Sequence, residues 1–110
     1  MMASANYATT ARFFGKQKFY VDFVDDRAFT YGIIGRHHFR LIAIAVREKY
    51  QKQGLARVLL AQIAAVCSER GLDRITLRTH KGGRAFWFCQ NQKARVVGQN
   101  GDDYEMEITL

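Results

Sequence analysis

The sequence predicts an α/β domain: a mixed, largely antiparallel sheet in the order β-β-β-α-β-α-β-β, with helices packed on it. Three observations predict it. Short segments alternate apolar and polar residues at period 2 on both sides of one long segment with helical periodicity. That helix, Leu55 to Arg70, follows directly on the apolar run LIAIAV and precedes another alternating segment, so the strands it joins are a parallel pair. The remaining connections are short turns, which fit antiparallel neighbours. A chain of 110 residues, 48% hydrophobic, is the size of one domain. Residues 1–16 are expected to form a short, partly extended N-terminal extension, and 17–110 the domain itself.

Taken in order, Lys18 to Val24 alternates Phe19, Val21 and Phe23 against Tyr20, Asp22 and Val24, which is a strand. Asp25-Asp26-Arg27 makes a turn, and Ala28 to Ile34 alternates again to complete a hairpin. Phe39 to Val46 is almost wholly apolar, the pattern of a strand covered on both faces. In the helix, Leu55, Leu59, Ile63 and Val66 or Cys67 share one face, with Gly71 as its stop. Arg74 to Thr79 reads as a strand. Lys81-Gly82-Gly83 breaks the chain before a short helix from Arg84 to Asn91. Ala94 to Gly98 and Tyr104 to Leu110 close the sheet around an Asn100-Gly101 turn.

Charge and cysteine usage narrow the function. The net charge is +7, with six basic residues against Glu48 alone from Arg36 to Arg57, and four acids without a base in the last twelve residues. Such a field attracts anions: nucleic acid, a phosphorylated cofactor or an acidic partner. No run of 18 apolar residues is present, so no membrane span is expected. The start lacks the apolar centre of a signal peptide. Cys67 and Cys89 have no metal-ligand spacing, and a reduced, cytoplasmic protein without a metal is expected.

The stretch with chemistry in it lies between the apolar strand and the long helix. The first four N–H groups of a helix lack partners within it. Ser, Thr, Asp or Asn commonly caps them, yet none of the four occurs from Phe39 to Cys67. Arg47, Lys49, Lys52 and Arg57 crowd this end, although cations are unfavourable at the positive end of a helix dipole by roughly 0.3–1 kcal/mol each. Gly54 and Ala56 are small enough for an anion to approach the backbone. A phosphate at this turn accounts for both the absent cap and the surplus of cations.

Gln51 to Ala56, with spacing Q-x-x-G-x-A, resembles the pyrophosphate loop of the GNAT superfamily of N-acetyltransferases. The preceding IAV, the following LARVLL and the A-x-x-F unit at Ala85 to Phe88 fall in that family's order, over roughly residues 18–110. The resemblance implies an acetyltransferase acting on acetyl-CoA and an amine. It implies that the backbone of Gln53, Gly54, Leu55, Ala56 and Arg57 holds the pyrophosphate, with Gln51 and Lys52 flanking it. Ile44, Ala45 and Val46 would pair with the pantetheine arm, Phe88 would pack beside it, and the amide near Val46 would serve as oxyanion donor. Three departures qualify it. Too few residues precede the first clear strand for the family's two N-terminal helices, so the acceptor site is open, minimal or completed by another subunit. Cys89 stands where the family often has a Tyr that protonates the leaving thiolate. Gly82 replaces a common Asn.

The general base is open at this point. Glu48 follows the apolar strand, and His37, His38 and His80 are candidates by residue type, since the pKa of a free imidazole is about 6.5. Two other readings stand beside the acetyltransferase. One is a family member that binds acyl-CoA without turning it over. The other is a basic nucleic-acid-binding module, against which stands the lack of any zinc, helix-turn-helix or ribonucleoprotein signature. A homodimer is expected from the missing pocket wall and from a regular edge strand at Tyr104 to Leu110.

Overall fold

Alternation in the N-terminal half sorts side chains onto two faces of one sheet, and a single long helix covers one of them. The computed structural model describes residues 8–84, 88–89 and 92–110. Its strands are β1 (Thr10–Phe14), β2 (Phe19–Val24), β3 (Ala28–Ile34), β4 (His38–Val46), β5 (Arg74–His80), β6 (Arg95–Asn100) and β7 (Asp103–Thr109). The helix α1 runs Leu55–Glu69, and a 3-10 turn at Glu48–Tyr50 precedes it. The sheet order is β1-β2-β3-β4-β5-β7-β6. All pairs are antiparallel except β4–β5. The predicted fold class holds. The expected helix from Arg84 to Asn91 includes residues 85–87 and 90–91, which lie outside the described residues.

The partly extended start contains one strand of the sheet, Thr10–Phe14, which pairs with β2 through a turn in which Gly15, Lys16 and Gln17 all have positive φ. Two expectations need correction. The strand ending near Leu110 is not an edge: β7 lies between β5 and β6, and the edges are β1 and β6. The apolar strand β4 is not covered on both faces. Phe39 and Leu41 are buried, but Ile42 is 46% exposed and Ala45 is exposed.

The core lies between the sheet and α1. Tyr20, Phe39, Leu41, Ile75, Leu77 and Met106 from the sheet meet Leu60, Ile63 and Cys67 from the helix. Leu55 and Leu59 close a second cluster with Val24 and Ala28. The helix stops in a Schellman arrangement: Leu72 N–H donates to the Cys67 carbonyl at 2.8 Å and Gly71 N–H to that of Ser68 at 3.3 Å, with Gly71 at φ 71°. Fully buried Asp22 accepts from the Tyr20 hydroxyl at 2.9 Å and from the Phe23 N–H at 3.0 Å, so its burial leaves no oxygen unpaired. Desolvation, and next the hydrogen bond to Asp22, push the Tyr20 hydroxyl far above its ordinary pKa. Tyr20 also stacks edge-on against Phe39, 5.6 Å between centroids.

Gly32 sits directly under the Phe39 ring. A Cβ there would fall 2.4 Å from the ring and 2.5 Å from the Arg40 carbonyl oxygen, closer than the packed backbone can yield. Gly32→Ala should therefore destabilise the fold by roughly 1–3 kcal/mol or more, the cost of overpacking a tight core, measured by denaturant unfolding.

Candidate functional site

β4 and β5 pair at three positions only, His38 with Arg74, Phe39 with Ile75 and Arg40 with Thr76. Beyond them the two strands part. A cleft of about 740 Å³ opens between them, walled by Leu41 to Ile44 and Val46 on one side and by Leu77 to Thr79 on the other. Gln51, Lys52, Gly54, Leu55, Ala56 and Arg57 line one end of it, and Arg84, Phe88 and Cys89 complete the wall.

The backbone of β4 presents polar groups to this space. Arg47 N–H donates to the Arg27 carbonyl at 2.8 Å. In an antiparallel ladder hydrogen-bonded pairs alternate. Ala45, opposite Phe29, therefore turns its N–H and C=O toward β3, while Ile44 and Val46 turn theirs toward the cleft. The Val46 carbonyl accordingly accepts from Gln51 Nε2 at 3.2 Å. A register shift opposite Tyr31 and Gly32 leaves Ile42 as an extra residue in β4. Beside it, the Thr30 hydroxyl donates to the Ala43 carbonyl at 2.8 Å.

The turn into α1 is shaped by backbone alone. Gly54 is the N-cap, at φ 83° and ψ 12°, and no side chain caps the helix. Its first intrahelical bond is Val58 N–H to the Gly54 carbonyl at 3.1 Å. Among the described residues, no acceptor meets the N–H groups of Leu55, Ala56 and Arg57. A Cβ on Gly54 would touch nothing within 4 Å, so the space in front of these amides is open. Lys52 and Arg57 have no ion-pair partner among the described residues, and the first turn of α1 carries no acid. The site is a cationic lip beside helix amides that no described acceptor meets, which suits a diphosphate.

The expected site residues divide as follows. Ile44, Val46, Gln51, Lys52, Gly54, Leu55, Ala56, Arg57, Phe88 and Cys89 all line the cleft. Ala45 is exposed on the opposite face, Gln53 is exposed beside the turn, and Glu48 is exposed in the 3-10 turn; none of the three lines it. His37 and His38 stand at the far end of β4, and His80 is exposed, 3.3 Å from Asp103. Arg84 was not foreseen. Its guanidinium donates to Gln51 Oε1 at 2.8 Å and ties the wall to the turn; its one signal in the sequence was a cation directly after Gly82-Gly83. Tyr50 was also missed. It lines the cleft while Lys49 and Arg27 lie 5.2 and 5.3 Å from its ring centroid.

The family model described as "Acetyltransferase (GNAT) family" matches residues 10–87. The chain belongs to this family. Solved structures agree on the fold. PaiA N-acetyltransferase from Thermoplasma acidophilum, in complex with coenzyme A, superposes with a TM-score of 0.72 at 18% identity, covering 84% of this chain and 60% of that one. Ard1 from Thermoplasma volcanium gives 0.73 at 16% identity, covering 94% and 98%. The ribosomal-protein-S18-alanine N-acetyltransferase from Escherichia coli gives 0.69 at 18% identity, covering 83% and 67%. No curated protein matches the chain. Among the described residues of this GNAT domain, no helix is long and apolar enough to cross a membrane, and no group of side chains could hold a metal ion.

Both thiols of the GNAT domain are buried. Desolvation pushes Cys89 from an ordinary 9.0 up to about 11, and Cys67 likewise to about 11. A raised folded-state pKa means that the folded chain holds these protons more tightly than the unfolded one. Stability from the two neutral thiols is complete below about pH 9 and is lost as pH rises toward 11. Unfolding titrations should show this loss in the wild type and less of it in Cys67→Ala at matched baseline.

Proposed function

We propose that this GNAT domain transfers the acetyl group of acetyl-CoA to an amine by direct attack. One observation carries the reading: amides of α1 without acceptors, under a cationic lip, meet the unpaired edge of β4 in one cleft. The diphosphate of acetyl-CoA takes the N–H groups from Gly54 to Arg57, with Lys52 and Arg84 beside it. The pantetheine amides take the edge groups of Ile44, as one more strand would. The amine lone pair attacks the thioester carbonyl, the oxyanion is stabilised by the Val46 N–H, the nitrogen gives its proton to water, and the carbon–sulfur bond breaks as the thiolate departs. Catalysis then rests on positioning.

Cys89 lines the same space, and at about 11 its thiol stays protonated at neutral pH. It is suited to donate a hydrogen bond to the departing sulfur and poorly suited to give up its proton. Glu48, exposed and outside the cleft lining, acts as base only through water. The described cleft lining contains no carboxylate and no imidazole. That supports a second reading, a domain that binds acyl-CoA without turnover.

Gly54→Glu should weaken CoA binding at least tenfold by calorimetry, a change of roughly 1.4 kcal/mol, because it sets a carboxylate against the phosphates. Equal affinity in wild type and variant rejects the pocket. Acetyl transfer to a panel of amines, lost in the same variant, selects the enzyme over the binding-only reading.

A further inference from the structure

Leu77 and Thr79 of β5 are buried on the side of the sheet that α1 covers. Arg78 between them therefore stands on the opposite face, exposed and on the wall of the cleft. Arg40 and Glu105 share that face, since Phe39, Leu41 and Met106 beside them are buried in the core with α1. Glu105 is the cross-strand partner of Arg78, yet both of its carboxylate oxygens are taken by Arg40. Glu107, the next acid along β7, is held by Arg74 and Arg95. Among the described residues the Arg78 guanidinium has no ion pair and no hydrogen bond. We infer that Arg78 selects the acceptor, by binding a carboxylate that the amine carries. The inference rests on the acetyl-transfer reading and names the class of amine it acts on.

Position and charge assign this anion to the acceptor and not to the cofactor. The last β4–β5 pair is Arg40 with Thr76, so Arg78 is level with Ile42. From Ile42 to Val46 is roughly 13 Å along β4, at the rise of a parallel strand. The amides and cations that suit the diphosphate come after Val46, so the Arg78 guanidinium stands toward the other end of the cleft. With the reacting carbonyl at the Val46 N–H, the carboxylate belongs several bonds from the attacking nitrogen. A guanidinium takes a carboxylate through two parallel N–H···O bonds, which fix its orientation as well as its affinity. A phosphate dianion calls for more than one cation, and the other cations of the described lining, Lys52, Arg57 and Arg84, stand at the turn and the start of α1. That lining holds no carboxylate, so a polyamine meets only like charge in it. Ile42, 46% exposed, and Ala43 form an apolar wall against which the methylenes between amine and carboxylate can lie.

Steady-state kinetics with ε-aminocaproate, its carboxamide and the diamine cadaverine test this in the wild type, Arg78→Gln, Arg78→Lys and the control Arg36→Gln. Arg36 lies in the turn before β4, outside the cleft lining, and its loss removes the same charge. In the wild type and the control, KM for the carboxylate should lie about tenfold below that for the carboxamide, with cadaverine the poorest of the three. In Arg78→Gln the two KM values should become about equal with little change in kcat, and Arg78→Lys should restore part of the difference. Arg78 is exposed, so both substitutions should keep the melting temperature. The same compounds are titrated by calorimetry into the protein with CoA present, and CoA affinity is measured alongside. A protein that binds CoA and acetylates none of them refutes the acetyl-transfer reading. A carboxylate that binds the wild type and not Arg78→Gln upholds the acceptor site even then. A wild type with no preference for the carboxylate in either assay, or a preference that survives Arg78→Gln, overturns the inference. So does a loss of CoA affinity in Arg78→Gln that Arg36→Gln does not share, which would give the guanidinium to the cofactor.

Discussion

Three residue pairs hold the two halves of this sheet together, and the site depends on their being only three. From His38 to Arg40, β4 is satisfied on both edges. Beyond Arg40, the edge facing β5 has no strand beside it. Buried backbone N–H and C=O groups are almost always paired, because leaving one unpaired costs about as much as a lost hydrogen bond. A sheet that opens in its middle therefore makes a place where something polar must enter. The structure answers in part with its own side chains: Gln51 reaches the Val46 carbonyl and Arg84 holds Gln51. The amides at the start of α1 receive no such answer among the described residues.

The extra residue in β4 works in the same direction. A bulge bends its strand and increases local twist. Here it falls at Ile42, two residues after the last β4–β5 pair. Below it, Phe39 and Leu41 are locked against Tyr20, Leu77 and Ile63 in the core. Above it, β4 leans on β3 and the start of α1, in the cluster that includes Leu55, Leu59 and Ile44. Two separate clusters thus hold the two ends of one strand, and the opening runs between them.

The parts legible in the sequence are those set by local chemistry. The helix, its Gly71 stop and the capless turn from Gln51 to Ala56 follow from residues a few positions apart, and the structure has all three where expected. Long-range order was not legible in the same way. β1 was legible only as a partly extended start, without bounds, because TARFF has little alternation to display: four of its five residues are exposed, and only its partner β2 makes it a strand. β7 was misplaced at an edge because nothing local says that β6 returns outside it. β4 looked doubly buried because its composition is apolar, yet composition cannot tell a covered face from one that faces open space. The exposure of Ile42 and of the phenylalanines on β2 and β3 is a property of what the chain does not place over them.

The burial of Cys89 limits what chemistry the cleft can host. A free thiol ionises near 8.5, so moving a proton from Cys89, at about 11, to a departing thiolate runs uphill by about 3 kcal/mol. The thiolate does not need that proton, since it is a stable anion at moderately alkaline pH. What the proposed reaction needs is an amine that arrives unprotonated, since the described lining holds no carboxylate or imidazole to remove its proton.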